Sequence, residues 1–268
     1  MQVRREEGGE NCSLAPIKGV GHIRLTDRDR RLLEFAAQHR IVLAAHLQVL
    51  LGATTAAIAT RLRALRRAGY LGAQRPFDRR AHCYWITRRG LGAIESTLPP
   101  PRPELSSYRH DLGVAWLWLA ARQGTFGPIR QIVSEREMRS KDGSGVRRGN
   151  PFGVRLGGVG PGGRERLHYP DLLLVGLSGR RVALELELTS KGRARRERIL
   201  AGYAADSRID SVLYLVDRPA TGRAIRASAS RLGISARVGV QPVRWDDPGR
   251  GQAPARARTA NREAPLAR

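Results

Sequence analysis

The stretch His168–Lys191, HYPDLLLVGLSGRRVALELELTSK, decides how the second half of this chain is read. Leu172-Leu173-Leu174-Val175 is an unbroken apolar run of the length expected for a buried strand. Leu177-Ser178-Gly179 supplies turn chemistry, and the chain then alternates strictly. Val182, Leu184, Leu186 and Leu188 fall on one side, whereas Ala183, Glu185, Glu187 and Thr189 fall on the other. A three-residue loop sets Asp171 opposite Glu185 on the same face, whereas a two-residue loop turns it away. In the first register Asp171, Glu185 and Glu187 gather as hard oxygen donors suited to Mg²⁺ or Mn²⁺. Carboxylates buried this close need a cation of some kind. The competing reading is an ordinary amphipathic strand, its glutamates solvated and paired to Arg193, Arg195 or Arg196.

Elements on either side of this hairpin extend the pattern. Downstream lie a basic helix from about Lys191 to Ala205, whose Arg193, Arg195 and Arg196 read as phosphate-holding residues of a DNA surface, the strand Ser211–Val216, a further helix and a last strand near Arg237–Val243. Upstream, Ser106–Asp111 leads into the helix LGVAWLWLAARQG, and a strand-like stretch around Gln131–Met138 carries Glu135 and Glu137. The Gly-rich Lys141–Gly163 reads as a long loop. The order is that of an α/β (α+β) unit spanning residues 106–245. Asp111 reads as a helix cap, Trp116 and Trp118 as packing residues, and His110 and His168 lack partners at diagnostic spacing.

Residues 22–98 carry a different pattern. Thr26 caps a helix reaching about His39, with Leu32, Leu33, Phe35 and Ala36 on its apolar side. A short helix with Leu43, Leu47, Leu50 and Leu51 ends at Gly52. Thr54 and Thr55 start a third helix, in which Ile58, Leu62 and Leu65 recur at helical spacing and Arg61, Arg63, Arg66 and Arg67 take the other side. Tyr70–Ala73 and Cys83–Ile86 read as strands joined by the basic loop Arg75-Pro76-Phe77-Asp78-Arg79-Arg80. Three helices followed by a two-stranded wing resemble the winged helix-turn-helix fold of bacterial regulators. That resemblance implies a third helix in the major groove, with Thr54, Thr55, Arg61 and Arg63 at the groove. Arg66, Arg67 and the wing residues Arg75, Arg79 and Arg80 would then follow the phosphate backbone. A solvated arginine face on an ordinary helix is the plainer alternative.

Composition constrains the partner. The formal net charge is +24, from 48 Lys plus Arg against 24 Asp plus Glu. Part of that excess reflects a chain rich in Arg, Ala and Gly throughout, but the remainder points to a polyanion. With no run of about 18 apolar residues a membrane span is excluded, and MQVRREEGGENCSLAPIKG lacks a signal-peptide core, so a cytoplasmic site associated with nucleoid or plasmid is expected. Cys12 and Cys83 have no zinc-ligand spacing, and no P-loop or Ser-His-Asp arrangement is present. Residues 1–21 read as a disordered leader, 99–105 as a Pro-rich linker, and 246–268 as a disordered basic tail.

Pro170-Asp171 followed by Glu185-x-Glu187 resembles the PD-(D/E)xK nuclease superfamily. The resemblance implies Asp171 and Glu185 as Mg²⁺ or Mn²⁺ ligands, Glu187 as a further ligand or base, and Lys191 stabilising charge. Glu187 stands where that pattern usually has Lys. Through "SYRHDLGVAWLWL", "SEREMRS", "HYPDLLLV", "VALELELTSK" and "VLYLV" the chain also resembles the replication-relaxation family of actinobacterial plasmids and integrated elements. That family implies double-stranded DNA as partner, a role in plasmid replication, relaxation or mobilisation, and contact with relaxase or replication proteins. Three functions stay open: a DNA-binding protein with a metal-dependent nicking domain, a non-catalytic regulator using the same domain to dimerise or clamp DNA, and a structural adaptor that recruits a separate relaxase.

Overall fold

The computed structural model describes residues 23–78, 80–144, 151–160, 163 and 165–243. The leader, the tail and Arg79 therefore lie outside the described residues. The fold is mixed α/β with several sheets. Among the described residues no helix is long and apolar enough to cross a membrane.

The first unit begins with α1 (Asp27–Gln38), closed by a capping box in which Thr26 and Asp29 bond each other's backbone N–H. A two-residue strand, β1 (Val42–Leu43), leads into α2 (Ala44–Leu51), which stops at Gly52. Gly52 has φ +60°, a left-handed cap conformation that suits glycine. Thr54 caps α3 (Thr55–Arg67), whose Ile58, Leu62 and Leu65 are buried. The hairpin of β2 (Leu71–Gln74) and β3 (Cys83–Ile86) follows, and β1 adds to its edge in the order β1-β3-β2. Thr87 then caps α4 (Arg88–Ala93).

A 3-10 turn at Leu105–Ser107 opens α5 (Tyr108–Arg122), the helix that joins the two halves. Ala115 and Leu119 pack into the core formed by α1, α2 and α3, while Leu117, Ala120 and Ala121 pack on the second sheet. Polar ties reinforce this seam. Ser134 Oγ donates to Gln38 Oε1 at 2.6 Å, and Arg136 Nε donates to the Ala37 carbonyl at 2.9 Å.

The second sheet has the order β10-β9-β8-β7-β4, from β4 (Ile129–Ser134), β7 (Leu172–Gly176), β8 (Arg181–Glu187), β9 (Ser211–Val216) and β10 (Val238–Pro242). The pairs β4–β7 and β7–β8 are antiparallel, whereas β8–β9 and β9–β10 are parallel. One face packs on α5, and the other on α7 (Arg193–Ala205) and α8 (Pro219–Arg231). Two expectations need correction here. Glu135 and Glu137 lie in the first turn of α6 (Glu135–Gly143) rather than in a strand, because Ser134 caps that turn and ends β4. Within Lys141–Gly163, α6 continues to Gly143 and Val154–Val159 forms β5, paired with β6 (Glu165–His168), so the long-loop reading fails over those residues.

The hairpin register places the carboxylates. Leu172 pairs with Leu184, the Gly176 N–H donates to the Arg180 carbonyl at 2.8 Å, and residues 177–179 form the three-residue loop. Gly179, at φ +85°, makes that turn without strain. Asp171 therefore sits just beyond the last pair, beside Glu185.

Candidate nucleic-acid interface and carboxylate cleft

The outward side of α3 combines small and basic residues. Thr55, Ala56, Ala57, Ala59, Thr60, Arg63, Arg66 and Arg67 are all exposed. Short side chains in the first two turns let a rod-shaped surface approach the backbone, and the arginines follow in the last turns. Thr54 serves as cap, its Oγ1 accepting the Ala57 N–H at 3.3 Å. Arg61 departs from its expected groove role. Its guanidinium turns inward to form a two-pronged pair with Asp29, which is 1% exposed, and its Nη2 also donates to the Arg24 carbonyl at 3.3 Å. Burial raises the Asp29 pKa, but the bonds from Arg61 and Thr26 outweigh it, leaving the carboxyl below its ordinary value. Arg61 thus fixes α3 to α1.

The loop between β2 and β3 leans toward α5. The Phe77 ring meets the Tyr108 ring edge-on, with centroids 5.3 Å apart at 85°. Arg80 lies in the wall of the cleft below, whereas Arg75 is exposed. This cleft has a volume of about 810 Å³ and opens between the β2–β3 loop, the start of α5 and the ends of β7 and β8. Asp171, Glu187, Lys191, His110 and Glu135 line it, with Arg40, Arg109, Arg195 and Arg218 around them.

Each carboxylate of the hairpin is buried and each has a cationic or hydrogen-bonding partner from the chain itself. Asp171 Oδ2 accepts the Leu186 N–H at 2.7 Å and lies 3.3 Å from His110 Nε2. Glu185 Oε1 accepts from His168 Nε2 at 2.6 Å and from the Tyr203 hydroxyl at 2.5 Å. Glu187 pairs with Lys191. Exposures of 9%, 3% and 5% for Asp171, Glu185 and Glu187 rule out the solvated strand face paired to Arg193, Arg195 or Arg196. Arg193 instead bonds Glu197 at 3.0 Å, and Arg196 donates to Ser228 Oγ at 2.9 Å and the Lys191 carbonyl at 3.0 Å. Arg196 is thereby a brace between α7 and α8 rather than a free phosphate ligand. Arg195 is exposed, and among the described residues no acidic partner lies within ion-pair distance of it.

These contacts set the charges. Burial raises the Glu185 pKa, but the charge and hydrogen bond of His168, the Lys191 ammonium and the Tyr203 hydroxyl together bring it below the ordinary value. Burial lowers the His168 pKa, yet Glu185 more than restores it, so the imidazole titrates above its usual range. His110 goes the same way: burial opposes its charge, but Asp171 and Asp111 push it up to about 10. Burial dominates at Glu187 and raises it despite Lys191.

Glu185 is sealed beneath His168 and Tyr203 and does not reach the cleft, so Asp171 and Glu187 face it without the third carboxylate. Among the described residues no group of three His, Cys, Asp or Glu side chains is placed to hold a metal ion. As they stand, these residues do not fit Mg²⁺ or Mn²⁺.

Several contributors carried no sequence signal. His110 and His168 become partners of Asp171 and Glu185 only through the tertiary fold. Arg40 reaches the cleft from the turn after α1, bonding Asp111 at 3.3 Å and Glu135 at 3.0 Å. Asp217, just past β9, has a buried Oδ1 without a hydrogen-bond partner among the described residues and an Oδ2 3.9 Å from Arg109. In comparisons with known proteins, no family model matches the chain, nor does any curated protein or solved structure.

Proposed function

We propose that this chain is a DNA-binding protein of a mobile genetic element, acting in plasmid replication-relaxation or mobilisation alongside relaxase or replication proteins. Its first unit is read as a winged helix-turn-helix and its second as a nuclease-like fold that grips DNA without cutting it. The observation that carries the binding reading is the outward side of α3, where small residues are followed by exposed Arg63, Arg66 and Arg67. The non-catalytic role of the second unit is supported by the internal cations: His110, His168 and Lys191 already pair with Asp171, Glu185 and Glu187. Double-stranded DNA is the partner, and a homodimer is compatible with a palindromic site. The setting is the cytoplasm, on nucleoid or plasmid.

A second reading, phosphodiester hydrolysis, draws on one observation: Asp171, Glu187 and Lys191 do line the same basic cleft. It requires His110 and Lys191 to leave their carboxylates. Both readings are tested with supercoiled plasmid in Mg²⁺ or Mn²⁺, comparing wild type with Glu187→Gln. Retarded but intact plasmid with both proteins supports clamping. Nicking by wild type that Glu187→Gln loses supports hydrolysis, and no retardation at low salt removes the DNA reading altogether.

A further inference from the structure

The cleft is too small for a duplex, whose major groove alone is about 12 Å wide, and its volume of about 810 Å³ is instead of the size that encloses a drug-sized molecule. One or two nucleotides of a single strand match that scale. Its rim is cationic. Arg195 and Arg218 are exposed, and among the described residues neither has an acidic partner within ion-pair distance. Arg109 is 60% exposed and, among the described residues, pairs with one acid, Asp217, at 3.9 Å. The acidic floor does not repel a phosphate strongly, since Lys191 and His110 stand against Glu187 and Asp171.

At the mouth stands an aromatic ring. A single exposed apolar side chain is ordinary on any surface. Phe77 differs in being both 44% exposed and held edge-on against Tyr108 beside arginines that line the cleft. A ring held against Tyr108 and still 44% exposed, next to guanidinium groups, is the combination with which proteins bind unpaired bases: stacking on the ring, phosphates on the arginines.

We infer that the cleft binds a segment of single-stranded DNA, with Phe77 stacking on one base and Arg195 and Arg218 holding the flanking phosphates. The inference rests on the DNA-binding reading and deepens it. The α3 surface takes duplex, and the cleft takes a strand that has left it.

The test uses the full chain and three labelled probes followed by fluorescence anisotropy: a 12-nucleotide oligothymidylate, a blunt duplex, and the same duplex with a single-stranded overhang. Phe77→Ala should weaken oligothymidylate binding roughly 5- to 150-fold, with duplex binding unchanged within about twofold and Phe77→Trp retaining affinity. Fluorescence of 2-aminopurine placed in the oligomer should be quenched by wild type and not by Phe77→Ala. Duplex binding without oligothymidylate binding overturns the strand inference alone. So does oligothymidylate binding that ignores Phe77, or quenching that survives its removal. Failure of wild type to bind any of the three probes sinks the DNA reading instead.

Discussion

The imidazole of His110 lies 3.3 Å from the carboxylate of Asp171, and this contact joins the start of α5 to the end of the β7–β8 hairpin. An imidazolium there supplies the cation that Asp171 needs in a buried setting, from inside the chain. The same logic repeats at Glu185 with His168 and at Glu187 with Lys191.

A pH dependence follows from His110. Its folded pKa is raised to about 10, so it favours the native state fully below the ordinary histidine value near 6.5. That contribution is lost as pH rises from 6.5 through about 10, at no more than ~1.4 kcal/mol per pH unit, and less because part of the ring is solvent-exposed. Urea midpoints measured at pH 7, 8 and 9 should fall for wild type. His110→Gln should flatten that slope; an unchanged slope removes the ion pair from the account.

Two other histidines act at the acid end. His39 and His46 are buried beside Phe35, Trp116 and Trp118, and burial lowers both, His46 to about 3. Groups held neutral in the fold but protonated when unfolded give stability that is present above pH 6.5 and lost as pH falls toward 3. Thermal melts should drop steeply between pH 6 and pH 4. His39→Leu should shrink that drop, since this substitution removes one proton uptake.

Arg61 and Arg63 should separate cleanly. Arg61→Ala strands the Asp29 carboxylate and should cost on the order of 2–3 kcal/mol of stability, somewhat under a fully buried pair because the guanidinium is partly exposed. Arg63→Ala, at an exposed site, should stay within about 0.5 kcal/mol of wild type. Denaturation midpoints of the two variants check this, and equal midpoints would mean that Arg61 is no brace.

Tyr203→Phe deletes the hydroxyl that donates to Glu185 at 2.5 Å within a fully enclosed site. A hydrogen bond to a charged group is worth about 1.5–3 kcal/mol, so a loss of that size is expected in chemical denaturation. A loss below about 0.5 kcal/mol would show that His168 alone satisfies the carboxylate.

The alternation from Val182 to Leu188 and the helical spacing of Ile58, Leu62 and Leu65 were readable because each is a local period imposed by one buried face. The register of Asp171 was readable only as a choice between two loop lengths, and the backbone of residues 176–180 makes the choice. The alternation also misled about exposure. A Leu-Glu repeat normally marks a half-solvated strand, but α7 and α8 cover its second face, and their packing is a long-range property. The cations were illegible for the same reason. His168 is 17 residues from Glu185, and Arg40 is 71 from Asp111; no spacing rule links residues brought together only by the tertiary fold. Glu135 was misread because Ser134 can end a strand and cap a helix at once.

Presentation of the α3 arginines to duplex DNA is tested most directly by the salt dependence of binding. The measurement is the slope of log affinity against log salt for a labelled duplex, comparing wild type with Arg63→Ala, Arg66→Ala and Arg67→Ala. Wild type should show a steep negative slope, made shallower by about 0.9 for each phosphate contact removed. Wild-type affinity that ignores salt, or three variants with the wild-type slope and affinity, would contradict it.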